Sequence, residues 1–240
     1  MKISILTPSF NSGKYLERAI QSVLNQDYTN YEHIVVDGGS NDETITILNK
    51  HKHLIYVSEK DKGQSDAMNK AFHMSSGDLI VYLNADDEFA PGSFKKVVAA
   101  FQESDKIDMI VGNLLFLSPD EQLIRYPSAR YRDILLYWKN LFPNNPVSYY
   151  YKRKVQIRIG DFPVDNHYSM DIWFLLKAYK LFKIAKVEAM LGTFHSDGTN
   201  KTATVDTGFA LHNAVKTHLK KENPLLLPYF YFKLLVGRFM

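Results

Sequence analysis

The sequence predicts an α/β fold: a doubly wound, mainly parallel sheet flanked by helices, with a helical C-terminal extension. Two observations carry this. Apolar runs of strand length alternate with segments of helical spacing through the first half of the chain, the pattern of successive right-handed β-α units. The run Leu79–Leu83 is also unbroken by polar residues, as strands buried on both faces are, and it delivers Asn84-Ala85-Asp86-Asp87 to its C-terminal end. That end of an α/β sheet is where ligands bind.

Taken in order, Lys2–Thr7 reads as a strand stopped by Pro8, and Tyr15, Leu16, Ala19, Ile20, Val23 and Leu24 then recur at helical spacing. Tyr31–Val36 is a second strand ending in Asp37-Gly38-Gly39-Ser40-Asn41-Asp42, with Asp42 placed to cap the helix carrying Ile45 and Leu48. Leu54–Ser58 gives a third strand. A helix from Ser65 to Phe72 follows, closed by Ser75-Ser76-Gly77 before the strand at Leu79. Beyond Pro91 come a helix over Ser93–Gln102, a strand over Asp108–Leu117 and a turn at Ser118-Pro119-Asp120. Residues 126–168, rich in Tyr, Arg, Lys and Pro, read as substrate-facing surface with a short helix near Asp133–Lys139. Asp171–Leu181 and Phe209–Leu219 return to helical spacing, with short strands at Ile184–Val187 and Met190–His195 between them. With no repeat or linker, the expected division is a catalytic domain over 1–222, in halves 1–117 and 118–222, and an appended segment over 223–240.

Composition narrows the function. The 240 residues are 45% hydrophobic and 23% charged, enough apolar material for a sizeable core. A net charge of +3, with no basic run interleaved with aromatics, excludes nucleic acid as the expected partner. Cysteine is absent, which removes disulfides and thiolate metal sites and suits a reducing cytoplasm. The first apolar run is too short for a signal peptide and meets Pro8 at once, which disfavours secretion.

Three loops then fall at successive strand ends: Thr7-Pro8-Ser9-Phe10-Asn11, Asp37-Gly38-Gly39-Ser40 and Asn84-Ala85-Asp86-Asp87. Asp37 suits the N–H groups and hydroxyls of a nucleoside, and equally a βα turn. Asp86 or Asp87 suits a divalent cation arriving with a diphosphate, and the same four residues are also good turn chemistry. No glycine-rich phosphate loop is present, so the phosphates are expected to rely on the cation, Mn²⁺ or Mg²⁺.

These residues resemble, in order and spacing, the signatures of family-2 inverting glycosyltransferases of the GT-A fold, the bacterial surface-polysaccharide type. The quoted loops carry the resemblance together with Ser58-Glu59-Lys60-Asp61-Lys62-Gly63-Gln64-Ser65-Asp66-Ala67-Met68-Asn69, Gly160-Asp161-Phe162, Ser169-Met170-Asp171 and Thr193-Phe194-His195-Ser196-Asp197-Gly198. The resemblance implies a nucleotide-diphospho-sugar donor, a UDP-sugar first, bound by Thr7, Pro8, Ser9, Asn11, Asp37, Gly39, Ser40, Asp61, Lys62, Gly63, Asp66, Asn69, Asn84 and Ala85. It implies Asp86 as metal ligand, with Asp87 the fallback and His195 a further metal or diphosphate contact; His195 read alone is equally a structural histidine. Asp171 falls where the family carries its catalytic base, and a helix N-terminal acid is the competing role. Two acids of the family pattern are replaced here, by Asn84 and Met170. An amide at 84 still bonds sugar hydroxyls. The acceptor implied is a hydroxyl of a glycan or a lipid-linked saccharide.

The tail Leu225–Met240 is apolar, aromatic and basic, and too short to span a bilayer, which takes about 20 apolar residues. From Lys216 onward five basic residues stand against Glu222, a net +4. Two readings stand open: an interfacial segment beside anionic lipid, and packing on the catalytic domain or on the second subunit of a homodimer. The expected location is the cytoplasm, at the inner face of the cell membrane if the tail binds lipid. Two other functions compete: a sugar-1-phosphate nucleotidyltransferase, which lacks its Arg-containing glycine-rich loop in Thr7–Gly13, and a non-catalytic carbohydrate or nucleotide-sugar binding protein.

Overall fold

A computed structural model describes residues 1–166, 169–198 and 207–236. Its nine-stranded sheet has two parts that differ in strand direction. In the first, β1 (Ile3–Ser9), β2 (Tyr31–Asp37), β3 (Leu54–Ser58) and β4 (Leu79–Tyr82) run parallel in the order β3-β2-β1-β4. The helices α1 (Leu16–Leu24), α2 (Thr44–Lys50) and α3 (Gln64–Met74) connect them. The apolar runs are buried on both faces: Ile3, Ile5, Leu79 and Val81 enter one core layer, while Leu6, Ile80 and Tyr82 enter the other. This is the period of two expected of a strand between two helical layers.

The second part is mixed. β8 (Tyr149–Lys152) lies antiparallel between β4 and β6 (Met109–Leu117), and β9 (Ile184–His195) runs parallel to β6. The two-residue β5 (Glu88–Phe89) pairs antiparallel with β9, and β7 (Gln122–Arg125) with β6. Four further helices, α4 (Ser93–Gln102), α5 (Tyr131–Leu141), α6 (Arg153–Ile159) and α7 (Met170–Leu181), cover this part, followed by α8 (Thr207–Glu222) and α9 (Leu227–Val236).

Two expectations change here. The segment 126–168 is not only surface: Tyr149, Tyr150 and Tyr151 sit at 1% exposure or less in the middle of the sheet. A four-residue central strand of three tyrosines and a lysine carries no period-2 polar signal, so only its tertiary neighbours identify it. The two short strands expected at 184–187 and 190–195 are one strand, with register shifts against β6 between Val111 and Leu114 that accommodate the polar interruption. The tail packs with one face: Phe230 is 3% exposed, and Leu226, Leu227 and Leu234 lie against the same core layer. The last residues of the expected segment, 237–240, fall outside the described residues, as do 167–168 and 199–206.

Candidate functional site

The C-terminal ends of β1, β2 and β4 open on one cleft of about 830 Å³. Of the residues expected to bind donor, Pro8, Ser9, Asn11, Gly39, Asp61, Gly63, Asn84 and Ala85 line it, and so do Asp86 and Asp171. Thr7, Asp37, Ser40, Lys62, Asp66 and Asn69 do not line it and act on its walls instead.

The first wall is a set of loops bonded to one another. Asn11 takes a positive φ of 47°, a conformation asparagine tolerates, and its Oδ1 accepts Asn41 N–H at 3.0 Å while its own N–H donates to Ser40 Oγ at 2.7 Å. Asp37 is fully buried and accepts from Gly39 N–H at 3.1 Å, Ser40 N–H at 2.9 Å, Ser58 Oγ at 2.7 Å and Ser40 Oγ. Its carboxylate is therefore committed to turning the chain after β2. At Gly38 an added Cβ would stand 2.8 Å from an Asp61 carboxylate oxygen, so a larger residue there would displace the Asp61 side chain. Beneath this wall Thr7 Oγ1 lies 3.0 Å from His33 Nε2.

Asp61 accepts Gly63 N–H at 2.7 Å, and Asp66, in the first turn of α3, accepts Lys62 N–H at 3.1 Å. Lys62 itself is exposed. Asn69 spends its amide on the chain beyond the cleft: Nδ2 donates to Phe162 O at 2.9 Å and Oδ1 accepts Phe162 N–H at 2.8 Å. That pair ties α3 to the Gly160-Asp161-Phe162 loop.

The cleft floor separates two adjacent acids. Asp86 is half-buried, lines the cleft and also borders a side recess of about 330 Å³ containing Arg18, His195 and Asp197. Asp87 is fully buried, and its carboxylate accepts Asn84 Nδ2 at 2.9 Å, Asn145 Nδ2 at 2.8 Å and His195 N–H at 3.1 Å. Burial first, then the Asp86 charge, pushes the Asp87 carboxyl well above the usual carboxylate range, against the pull of those three donors. Asn84 Oδ1 accepts from Gln64 Nε2 at 3.3 Å. His195 Nε2 lies 2.5 Å from Glu88 Oε1, and Glu88 also meets Arg18 Nε at 3.2 Å.

Among the described residues no three His, Asp or Glu side chains converge on a point that would hold a metal. The donor set fits a cation of another kind. One carboxylate facing a diphosphate-sized cleft suits a divalent ion that brings most of its oxygen ligands with the substrate. Asp86 is the residue so placed.

The opposite wall comes from α7. Asp171, half-buried in its first turn, accepts Ile172 N–H at 2.8 Å beside the cleft-lining Met170. The Tyr149 hydroxyl is driven well above its ordinary pKa, by burial first and then by the Asp171 charge.

Several cleft residues were not read from the sequence. Asn145 bonds Asp87 and also caps the 3-10 turn Pro146–Ser148, its Oδ1 accepting Val147 N–H at 3.0 Å. The Asn-Asn-Pro string was a visible turn signal, but nothing local placed it against an acid 58 residues away. Arg18 donates to Asp86 O at 2.6 Å from a helix whose spacing marked only its apolar face.

The sequence signature described as Glycosyl transferase family 2 matches residues 4–169. An uncharacterized glycosyltransferase of Nostoc sp. is 32% identical over 124 residues, 47% of this chain and 38% of its own length. The chain thus matches less than half of that relative. The crystal structure of S. aureus TarS with UDP-GlcNAc superposes with a TM-score of 0.73 at 18% identity, over 93% of this chain and 68% of that one. A mannosyltransferase from Pyrobaculum calidifontis in complex with GDP-Man and Mn²⁺ gives 0.62 at 16% identity, over 98% and 74%. At these identities the structural likenesses establish the architecture. The signature, spanning the three cleft loops and reaching the edge of α7, establishes the rest: the chain belongs to glycosyl transferase family 2 and has the GT-A fold.

Proposed function

We propose that this protein transfers a sugar from a nucleotide-diphosphate donor, a UDP-sugar first, to a hydroxyl of a glycan or lipid-linked saccharide, with inversion at the anomeric carbon. The observation that carries the proposal is that Asp86 and Asp171, on different elements, face one cleft large enough for a nucleotide sugar. Inverting transfer is a single displacement: the acceptor oxygen bonds to the anomeric carbon as the bond to the diphosphate breaks, and the hydroxyl proton passes to a base. Asp171 takes that proton on its carboxylate. A divalent cation held by Asp86 would, when bound, stabilise the charge of the departing diphosphate.

The remaining roles follow from position. Ser9, Asn11, Gly39, Asp61 and Gly63 contact the nucleoside end of the donor, while Asp37 and Ser40 hold the loops that form its pocket. Asn84 and Ala85 meet the sugar and ribose, the Asn84 amide replacing an acid with a neutral bonding group. Support for the donor class comes from relatives of the same fold solved with UDP-GlcNAc and with GDP-Man and Mn²⁺.

The test is a panel of nucleoside diphosphates in thermal shift, with and without Mn²⁺, followed by donor turnover. A bound ligand raises stability by RT ln(1 + [L]/Kd), so the favoured base and the metal requirement appear together. Asp86→Ala is expected to abolish the Mn²⁺-dependent part of the shift while the protein alone melts as before. An unchanged diphosphate affinity in that variant sinks the metal assignment. Donor binding by the wild-type protein with no turnover against any acceptor or water leaves a binding protein instead.

A further inference from the structure

The last helix is mostly apolar, and one of its faces is covered while another is exposed. On α9, Phe230 and Leu234 turn inward with Leu226 and Leu227 to pack on the core layer. On the opposite stripe Phe232 and Leu235 are 58% and 61% exposed, and Leu225, in the turn before the helix, is 93% exposed. Large apolar side chains clustered in the open mark a contact surface, so this stripe requires an occupant.

The surroundings say which. Lys216 of α8 reaches over the Tyr231 ring at the edge of the stripe, 5.7 Å from its centroid. Lys220, one turn further along the same face of α8, and Lys221 are both exposed. The acid next in sequence, Glu222, is held by Lys180. Lys177 of α7 is drawn below the ordinary lysine range, by burial first and then by the charge of Lys221, which places Lys221 close to it. An exposed apolar stripe edged by a tyrosine and by lysines matches the headgroup boundary of an anionic bilayer, where aromatic side chains enter and basic ones stay above. A second copy of the chain fits less well, because a two-fold interface sets the patch against itself and would bring lysine to lysine. None of the described helices is long and apolar enough to cross a membrane, so the contact is one of lying on the surface.

We propose that the outer stripe of α9, with the Lys216, Lys220 and Lys221 rim of α8, docks the protein on an anionic lipid surface. This goes beyond the transfer reaction and stands or falls independently of it.

The experiment is flotation with phosphatidylcholine vesicles, with and without phosphatidylglycerol, at low and high salt. The wild-type protein is expected to float with the phosphatidylglycerol vesicles and to be released by salt, since the lysine contribution is screened. Phe232→Asp with Leu235→Asp is expected to lower the bound fraction about tenfold or more. Lys220→Glu with Lys221→Glu should lower it about tenfold and remove the preference for anionic lipid. All four positions are exposed, so the melting temperature should stay unchanged in both variants. Equal binding to neutral and anionic vesicles, no binding at all, or full binding by either variant overturns the proposal. So does a concentration-dependent dimer that Phe232→Asp with Leu235→Asp dissolves, which assigns the stripe to a second copy.

Discussion

On the parallel side of the sheet the cleft wall is made by near neighbours: Asn11 reaches Ser40 across 29 residues, and Asp37 reaches Ser58 across 21. On the mixed side the same cleft is closed by partners far apart, Asp87 with Asn145 across 58 residues and with His195 across 108. The first wall is built from consecutive β-α units, each supplying its own loop with turn residues and acceptors. The second exists only when β4, β8, β6 and β9 have been assembled into one sheet. The two walls should therefore respond differently to substitution, the parallel side through ligand affinity and the mixed side through assembly and catalysis.

The largest effect is expected at Asp171 on the mixed side. Asp171→Asn keeps the shape and the helix N-terminal role but cannot accept a proton at neutral pH, so turnover should fall by about 10²–10⁴-fold. Donor Kd should stay within about twofold, because the proposed donor contacts lie on the other wall. Transfer rate at saturating donor, measured with donor affinity, decides it: near-normal turnover removes Asp171 from the mechanism, and lost donor binding moves it into the donor pocket.

Next come the neighbours Asp86 and Asp87. Replacing the buried carboxylate, as in Asp87→Ala, leaves the Asn84 and Asn145 amides without their acceptor and should cost about 2–4 kcal/mol of unfolding free energy. Asp86→Ala, at a half-buried position open to the cleft, should change stability by about 0.5 kcal/mol or less. Urea unfolding of both proteins is the measurement, and equal losses would mean that the two acids are not divided between structure and ligand.

A smaller effect lies beneath the parallel wall. His33 is fully buried, and burial first, then the charges of His53 and His51, hold its pKa at about 3 instead of 6.5. His53 is lowered too, by burial and then by His51, while His51 pairs with Glu17 at 3.0 Å. Because the folded pKa is depressed, the unfolded chain binds the extra proton between pH 6.5 and 3. The contribution of His33 is therefore complete above pH 6.5 and is lost as pH falls through that window, about 2 kcal/mol of it by pH 5. His33→Gln, which does not titrate, should lose about 2 kcal/mol less than wild type between pH 7 and pH 5. Parallel stability curves for the two proteins would remove the histidine from the acid response.

The smallest expected change is Ser58→Ala. Asp37 loses one of its donors but keeps the backbone N–H groups of Gly39 and Ser40. The cost should be about 1 kcal/mol, and nucleoside affinity should weaken only a few-fold. A loss of all nucleotide binding would show the wall to be less redundant than its hydrogen bonds imply.

What the sequence by itself determined was the parallel half and its loops. The apolar runs at Ile3, Ile34 and Leu79 need both faces covered wherever they fold, and the residues that turn the chain after each strand lie within a few positions of it. The order of the three loops was legible for the same reason, whereas Asp86 and Asp171 were singled out through the family resemblance. Tertiary structure decided what depends on distant neighbours. Asp86 and Asp87 are adjacent and chemically identical, and the arrival of Asn145 and His195, added to the local Asn84, secures one inward while the other faces the cleft. Asn69 reads as a donor contact until its amide is seen clasping Phe162, 93 residues away. Tyr149–Tyr151 reads as surface until β4 and β6 close on either side of it. Local chemistry fixes what a residue is able to bind, and the partners packed around it fix which of those bonds it makes.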